Sequence, residues 1–324
     1  MKQIKKKTFE RKSENEIKYI SRQLRTEYNK ASKEMIAKYE KQMQSFIKTD
    51  ELKKAQVATG ELTQKAYMDW RKMALLNNER VKSLIQELSS YISNVNRTAT
   101  ELINGRTANV FKEYYNIQMY EIEKDARVIT AFGIYNKNTV ANLTVVPVAK
   151  NKLAKDLLWN SRKIHSALTQ GILQGESIPK IARRLSTVAG MNKKAAIRNA
   201  RTMITSAENK GRMMGMEYAE SVGIKQKKVW IATLDDRTRD SHAILDGETI
   251  PVDEEFSNGL MFPADIESGE PEEVYNCRCT MQTVIDGVDF SVNPSEVTRA
   301  SKLGDMSYED WKRYHAEQYK NKIK

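Results

Sequence analysis

Three residues in the last third of the chain have side chains that bind metals or exchange protons: His242, Cys277 and Cys279. Imidazole nitrogen and thiolate sulfur are donors that zinc prefers, and a fourth ligand would come from Asp235, Asp240 or water. Zn is therefore the one candidate cofactor. Cys-x-Cys is tighter than the usual Cys-x2-Cys knuckle, and three ligands are one short of a closed structural site. A packed motif is the other reading, with His242 held by a carboxylate and both cysteines buried as small apolar groups. A Cys277–Cys279 disulfide would close a very small, strained loop. Two cysteines in 324 residues build no disulfide framework, so synthesis in a reducing cytosol is expected.

Other catalytic patterns are not visible. His165, His242 and His315 are far apart in sequence, no Ser-His-Asp set stands at a familiar spacing, and there is no P-loop. The expectation is a chain that is not an enzyme, with no catalytic residue assigned. A zinc-dependent hydrolase or toxin-like effector built on His242, Cys277 and Cys279 is the alternative. About forty residues follow Cys279, and on that ground a fused effector is not expected.

The elements that must position these residues are marked by breakers and periodicity. No proline precedes Pro147, and the first 132 residues hold only Gly60 and Gly105, a texture of long helices. Ser13 and Glu16 form a capping-box pattern at the entry. Behind it Ile17, Ile20, Leu24, Tyr28, Ala31, Met35, Tyr39, Met43 and Phe46 recur at steps of three and four, one apolar stripe on a long helix. A second helical block covers about residues 62–130. The NLTVVPV run (142–148) reads as a turn with a short strand or extended connector. Helical spacing resumes at Leu153, and Gly175 is a stop. A helix beginning at Pro179 should close at Gly190, and Asn192 should cap another that ends at Gly223.

From Val229 the texture changes to short segments between turns, and three of the six prolines fall here. The reading is a mainly α fold: long N-terminal helices and a helical middle, followed by a small α+β module. Its divisions are 1–150 (long helices), 151–228 (helical middle), 229–288 (α+β module with the His/Cys motif) and 289–324 (tail with a helix capped near Ser307, carrying Trp311 and His315). Trp230 and Phe256 should form the module's core. Asp235, Asp236, Arg237, Arg239 and Asp240 read as a charged turn fixed by Arg–carboxylate pairs.

Charge is uneven. The chain carries +12 overall, yet residues 229–288 hold three Arg, no Lys and fourteen Asp or Glu. A basic body beside an acidic module fits a protein that faces nucleic acid and docks on another protein; Lys-rich solvated helices would give the same numbers. Lys193, Lys194, Arg198 and Arg201 are candidate DNA contacts, sequence-indifferent and salt-sensitive, because no base-reading motif is present. No apolar run is long enough to cross a bilayer, so no membrane partner is expected. The basic start has no apolar stretch behind it and is not read as a secretory signal.

Residues 198–212 (RNARTMITSAENKGR), then VWIATLDDRTRDSHAILDGETI (229–250), Phe256, Pro263 and EVYNCRC (273–279) resemble the Mu F-like head-morphogenesis family in order and spacing. The resemblance covers about residues 160–285. It rests on an Arg-Thr pair on a helix, a strand led by Trp230, an Asp-x-Arg-x-x element through Asp235, Arg237, Arg239, Asp240 and His242, a Leu-x-Gly ending at Gly247, and the closing Asn-Cys-Arg-Cys. Where the family usually has Glu after the Arg-Thr pair, this chain has Met203. The resemblance implies a minor head protein of a tailed phage or prophage, inside the virion and, during assembly, in the host cytoplasm. Its implied partners are the portal protein, capsid or scaffold proteins, and packaged double-stranded DNA bound non-specifically.

Overall fold

The computed structural model describes residues 10–76, 79–131, 133–135, 156–292, 295–300 and 306–323. The NLTVVPV connector and the expected helical restart at Leu153 lie outside these residues. The described elements are α1 (Glu10–Ala58), α2 (Gln64–Leu76), α3 (Glu79–Ala126), β1 (Val128–Thr130), α4 (Leu157–Leu173), α5 (Ile178–Ser221), β2 (Ile224–Ile231), α6 (Asp240–Ile244), β3 (Thr249–Pro251), α7 (Pro271–Val274), β4 (Thr280–Val288), β5 (Val297–Arg299) and α8 (Tyr308–Ile323). The fold is mainly α with a small α+β module, as expected. Among the described residues no helix is long and apolar enough to cross a membrane.

The chain divides into two compact units. One comprises Tyr19–Leu102 and Lys152–Ile197, the other Met1–Lys18, Ile103–Asn151 and Arg198–Lys324. The first holds 24 Lys or Arg and 12 Asp or Glu and so carries the whole net charge of +12; the second holds 30 of each.

In the first unit the stripe of α1 is the core: Ile20, Leu24, Tyr28, Ala31, Met35, Tyr39 and Met43 are all buried, and Phe46 stacks on Trp70 at 5.4 Å. A buried hydrogen-bond chain crosses four helices. The Tyr28 hydroxyl donates to Asn96 Oδ1 (2.6 Å), Asn96 Nδ2 to Asn192 Oδ1 (2.7 Å), Asn192 Nδ2 to Asn160 Oδ1 (3.0 Å), and Asn160 Nδ2 to Ser93 Oγ (3.0 Å). Each buried amide would cost free energy unpaired, so the chain selects one helix register. It also overturns an expectation. Asn192 caps no helix, and Gly190 ends none; α5 runs through both. The Asn192 amide is taken up by the Val188 carbonyl one turn back (2.9 Å) and by Asn160, partners that a local capping pattern does not reveal.

Two further boundaries differ from expectation. Ser13 lies inside α1, where its N–H donates to the Tyr114 hydroxyl (3.0 Å), and Glu16 pairs with Arg106 (3.2 Å), so the two form no capping box. Helix α3 ends at Ala126, where Arg127 turns left-handed (φ 53°) and the chain enters β1. The stops near Gly175 (φ 64°) and Gly223 (φ 96°) are where glycine predicts them.

The second unit packs α3 closely against α5. A Cβ at Gly211 would come within 2.4 Å of the Phe111 carbonyl oxygen, so this crossing requires glycine. Beside it the buried Arg212 reaches Glu121 (3.1 Å) and lies 5.2 Å from the Tyr114 ring. Strands β3-β2-β4 form an antiparallel sheet, with Trp230 opposite Met281 and Val229 between Thr249 and Gln282. Strands β1 and β5 form a separate antiparallel pair. The tail helix α8 is capped by Ser307, whose Oγ accepts the Asp310 N–H, and buries Trp311 and His315 on Glu123.

Candidate metal centre

Alternation along β2 sends Ile224, Gln226, Lys228 and Trp230 to the inner face. Trp230 meets Phe256 edge-on at 5.0 Å and His242 at 5.3 Å, the module core expected of Trp230 and Phe256. Lys228 was not legible as a buried residue. Its Nζ donates to the Met261 carbonyl (2.8 Å) over the Phe256 ring, and burial pulls its pKa down to about 8.

The loop after β2 is fixed by its charges. Asp235 accepts the Arg237 N–H (2.9 Å) and both terminal nitrogens of Arg278, and these bonds hold its carboxyl well below the usual range. Arg239 reaches across to the Tyr275 carbonyl and precedes α6, in which Asp240 is the exposed first residue. Gly247 (φ 83°) turns the chain into β3, its N–H donating to the Trp230 carbonyl (2.9 Å). The third residue of α6, His242, is buried.

Asn276 takes a left-handed backbone (φ 58°) and donates its N–H to Thr202 Oγ1 (3.1 Å), just before the short segment that leads into β4. Cys277 and Cys279, two residues apart in this segment, both turn their buried sulfurs toward His242. Their sulfurs stand 3.7 and 3.5 Å from His242 Nδ1. Asn209 of α5 braces this segment, its amide reaching the carbonyls of Cys279 (3.1 Å) and Pro263 (3.0 Å).

The donor set fits zinc. Zn–N and Zn–S bonds at a tetrahedral angle place N and S about 3.6 Å apart, the spacing found here. All three ligand atoms lie within 4.8 Å of one another. Glu273 sits 2.8 Å from His242 Nε2, which leaves Nδ1 as the lone-pair nitrogen facing the sulfurs. Cys279 is pulled down to about 5 by the Cys277 thiol and His242, while the same hydrogen bond and burial push Cys277 up. The expected fourth ligands are elsewhere. Asp235 is taken by Arg278, and neither it nor Asp240 joins the cluster. Glu273 is the residue that sequence reasoning missed by number; it opens the EVYNCRC motif, one helical turn before Cys277.

The DNA-contact candidates divide between the units. Lys193 donates to Asn29 (2.9 Å) and Lys194 is exposed, both in the first unit; Arg198 and Arg201 are exposed in the second. The Arg198 guanidinium lies 5.3 Å from the Tyr275 ring. Arg201 lines a cavity of about 510 Å³, together with Lys18, Arg237, Arg278 and the buried Glu208.

Residues 162–282 match the model of the family described as Phage Mu protein F like protein. Among curated proteins, the chain is 29% identical over 242 residues to the NAD(+)–arginine ADP-ribosyltransferase EFV of Enterococcus faecalis, an alignment covering 73% of this chain and 49% of that protein. It is 28% identical over 262 residues to Minor head protein GP7 of Bacillus phage SPP1, covering 78% and 82%. The chain thus spans about half the length of the ADP-ribosyltransferase and most of the minor head protein. No solved structure matches it significantly. The first of these relatives overturns the expectation that the chain is not an enzyme: similarity over three quarters of this sequence extends to a protein named for a transferase activity. Residues 162–282, which hold the Trp230 strand, the His242 loop and the Asn-Cys-Arg-Cys closure, are thus the part of the chain that matches the Phage Mu protein F like family.

Proposed function

We propose that this chain is a minor head protein that acts in phage head morphogenesis inside the virion, docks on the portal and neighbouring capsid or scaffold proteins during assembly in the host cytoplasm, and holds packaged DNA without sequence preference. The observation that carries the head role is the alignment with Minor head protein GP7 over 82% of that protein. Support for DNA binding is electrostatic: the whole net charge resides in the unit built from Tyr19–Leu102 and Lys152–Ile197. Within residues 152–197 there are nine Lys or Arg and only two Asp or Glu, and Arg162, Lys163, Arg183 and Lys194 are exposed. Zinc held by His242, Cys277 and Cys279 would tie α6 to the start of β4, a structural clamp on the loops of the module.

The decisive test is co-purification with the portal protein from infected or induced cells, and detection in procapsids. Presence in procapsids and a portal complex is expected; absence from both sinks the head role. For DNA, duplex binding should weaken linearly in log salt, and neutralising Arg162, Lys163, Arg183 and Lys194 to Gln should lower the slope by roughly 3–4. An unchanged slope would remove these four from the interface.

A second reading is ADP-ribosyl transfer, favoured by the similarity to the E. faecalis transferase. Incubation with labelled NAD(+) and an arginine-rich acceptor tests it: label on the acceptor supports the activity, and neither label transfer nor nicotinamide release rejects it.

A further inference from the structure

The cavity of about 510 Å³ borders the His/Cys cluster through Cys277, and the rest of its wall includes residues that hold no metal: Lys18 of α1, Arg201, Thr205 and Glu208 of α5, and Arg237 and Arg278 from the segments flanking the cluster. Arg237 and Arg278 share a single carboxylate, Asp235, and Glu14 is the one exposed acid on the wall. Lys18 and Arg201 have no ion-pair or hydrogen-bond partner among the described residues. Four cations set against Glu14 and Asp235 leave two positive charges around the opening. A carboxylate would neutralise one of them; a phosphate monoester dianion neutralises both. Guanidinium forks are the side chains best matched to phosphate oxygens.

We propose that this cavity binds a small phosphate ester of nucleotide size, its phosphate on Arg201, Arg237 and Arg278. The volume falls within the range of small-ligand sites and exceeds what a bare phosphate fills. Thr205, Thr233 and Thr280 supply hydroxyls along the wall for a polar body, and Ile17 supplies an apolar surface. Glu208 is already matched within the fold, accepting the Thr280 hydroxyl (2.9 Å) and pairing with the buried Arg212 (3.9 Å), so it does not draw on the cations at the opening. The bidentate grip of Asp235 on Arg278 holds that guanidinium in place without using up the cationic excess.

Calorimetric titration of the full chain with ADP and with inorganic pyrophosphate tests the assignment, with adenosine as the phosphate-free control. Both anions are expected to bind one per chain, and adenosine at least tenfold more weakly than ADP. Arg201→Gln should weaken ADP at least tenfold, while Arg313→Gln, on the exposed face of α8, should leave it unchanged. Because Arg201 is exposed, its variant should melt with the wild type, so lost binding would not reflect unfolding. No saturable binding of either anion overturns the proposal, as does equal weakening by Arg201→Gln and Arg313→Gln. Displacement of ADP by a short DNA duplex with the same dependence on Arg201 would assign the cations to a polynucleotide and also overturn it. Incorporation into procapsids is an independent readout, so failure here and failure of the head role are distinguishable.

Discussion

Glu273 stands 2.8 Å from Nε2 of His242, and the other ring nitrogen faces Cys277 and Cys279 at 3.7 and 3.5 Å. The carboxylate thereby decides which nitrogen can donate a lone pair. Purified chain is expected to carry close to one zinc, lost in His242→Ala or Cys277→Ser. Glu273→Gln should keep the metal with roughly 10–100-fold lower affinity. Elemental analysis and competition with a chromogenic chelator measure both. A metal-free wild type that melts at the same temperature with and without added zinc would leave the cluster as a packed His/Cys motif.

The tail helix is held by one acid. Glu123 is fully buried and accepts from Trp311 Nε1 (2.7 Å) and, through its other oxygen, from the backbone (3.0 Å) and hydroxyl of Thr130; His315 lies 2.9 Å away. Glu123→Ala leaves these donors unsatisfied and should cost about 3 kcal/mol in urea unfolding. Limited proteolysis should then cut within α8 before any other site. An unchanged cleavage pattern would show that the helix is held by its apolar contacts alone.

The asparagine chain of the basic unit predicts a penalty out of proportion to side-chain size. Asn192→Leu removes partners from both Asn96 and Asn160 and should destabilise by about 2–4 kcal/mol, whereas exposed Asn15→Leu should change little. Equal effects in denaturant titrations would argue against a specifying network.

Gly211→Ala adds a methyl where α3 and α5 meet backbone to backbone, 2.4 Å from a carbonyl oxygen. The helices must separate, and a loss of about 1–3 kcal/mol is expected. Gly105→Ala, with open space around it, should be neutral or stabilising. Thermal melts of the two variants decide the matter.

Burial pulls Lys228 to about 8 from its ordinary 10.5. Between those values the unfolded chain binds more protons than the folded one, so this residue makes stability rise with pH across that window. Relative to Lys228→Met, the wild type should therefore gain stability from about pH 8 to 10.5. A flat difference over that range would mean that the ammonium stays charged in the fold.

Much was legible in the sequence because its cause is local. The spacing of Ile20, Leu24, Tyr28, Ala31 and Met35 specifies a helix with one buried face in any context. Gly175 and Gly223 stop helices because their backbones turn left-handed, and Ser307 caps α8 with its own hydroxyl. The approach of His242 to Cys277 and Cys279 was anticipated from donor chemistry and a motif. Other relationships depend on partners far away in the chain. Asn192 looks like a cap until Asn96 and Asn160 claim its amide, and Ser13 looks like one until Tyr114 takes its N–H. Glu273, rather than Asp235 or Asp240, reaches the His/Cys cluster, because Arg278 captures Asp235 and α6 turns Asp240 outward. Sequence alone determined the periodic faces, the turn residues and the donor types; only the tertiary structure decided which polar groups meet, because a buried hydrogen bond is chosen by whichever partner folding brings within 3 Å.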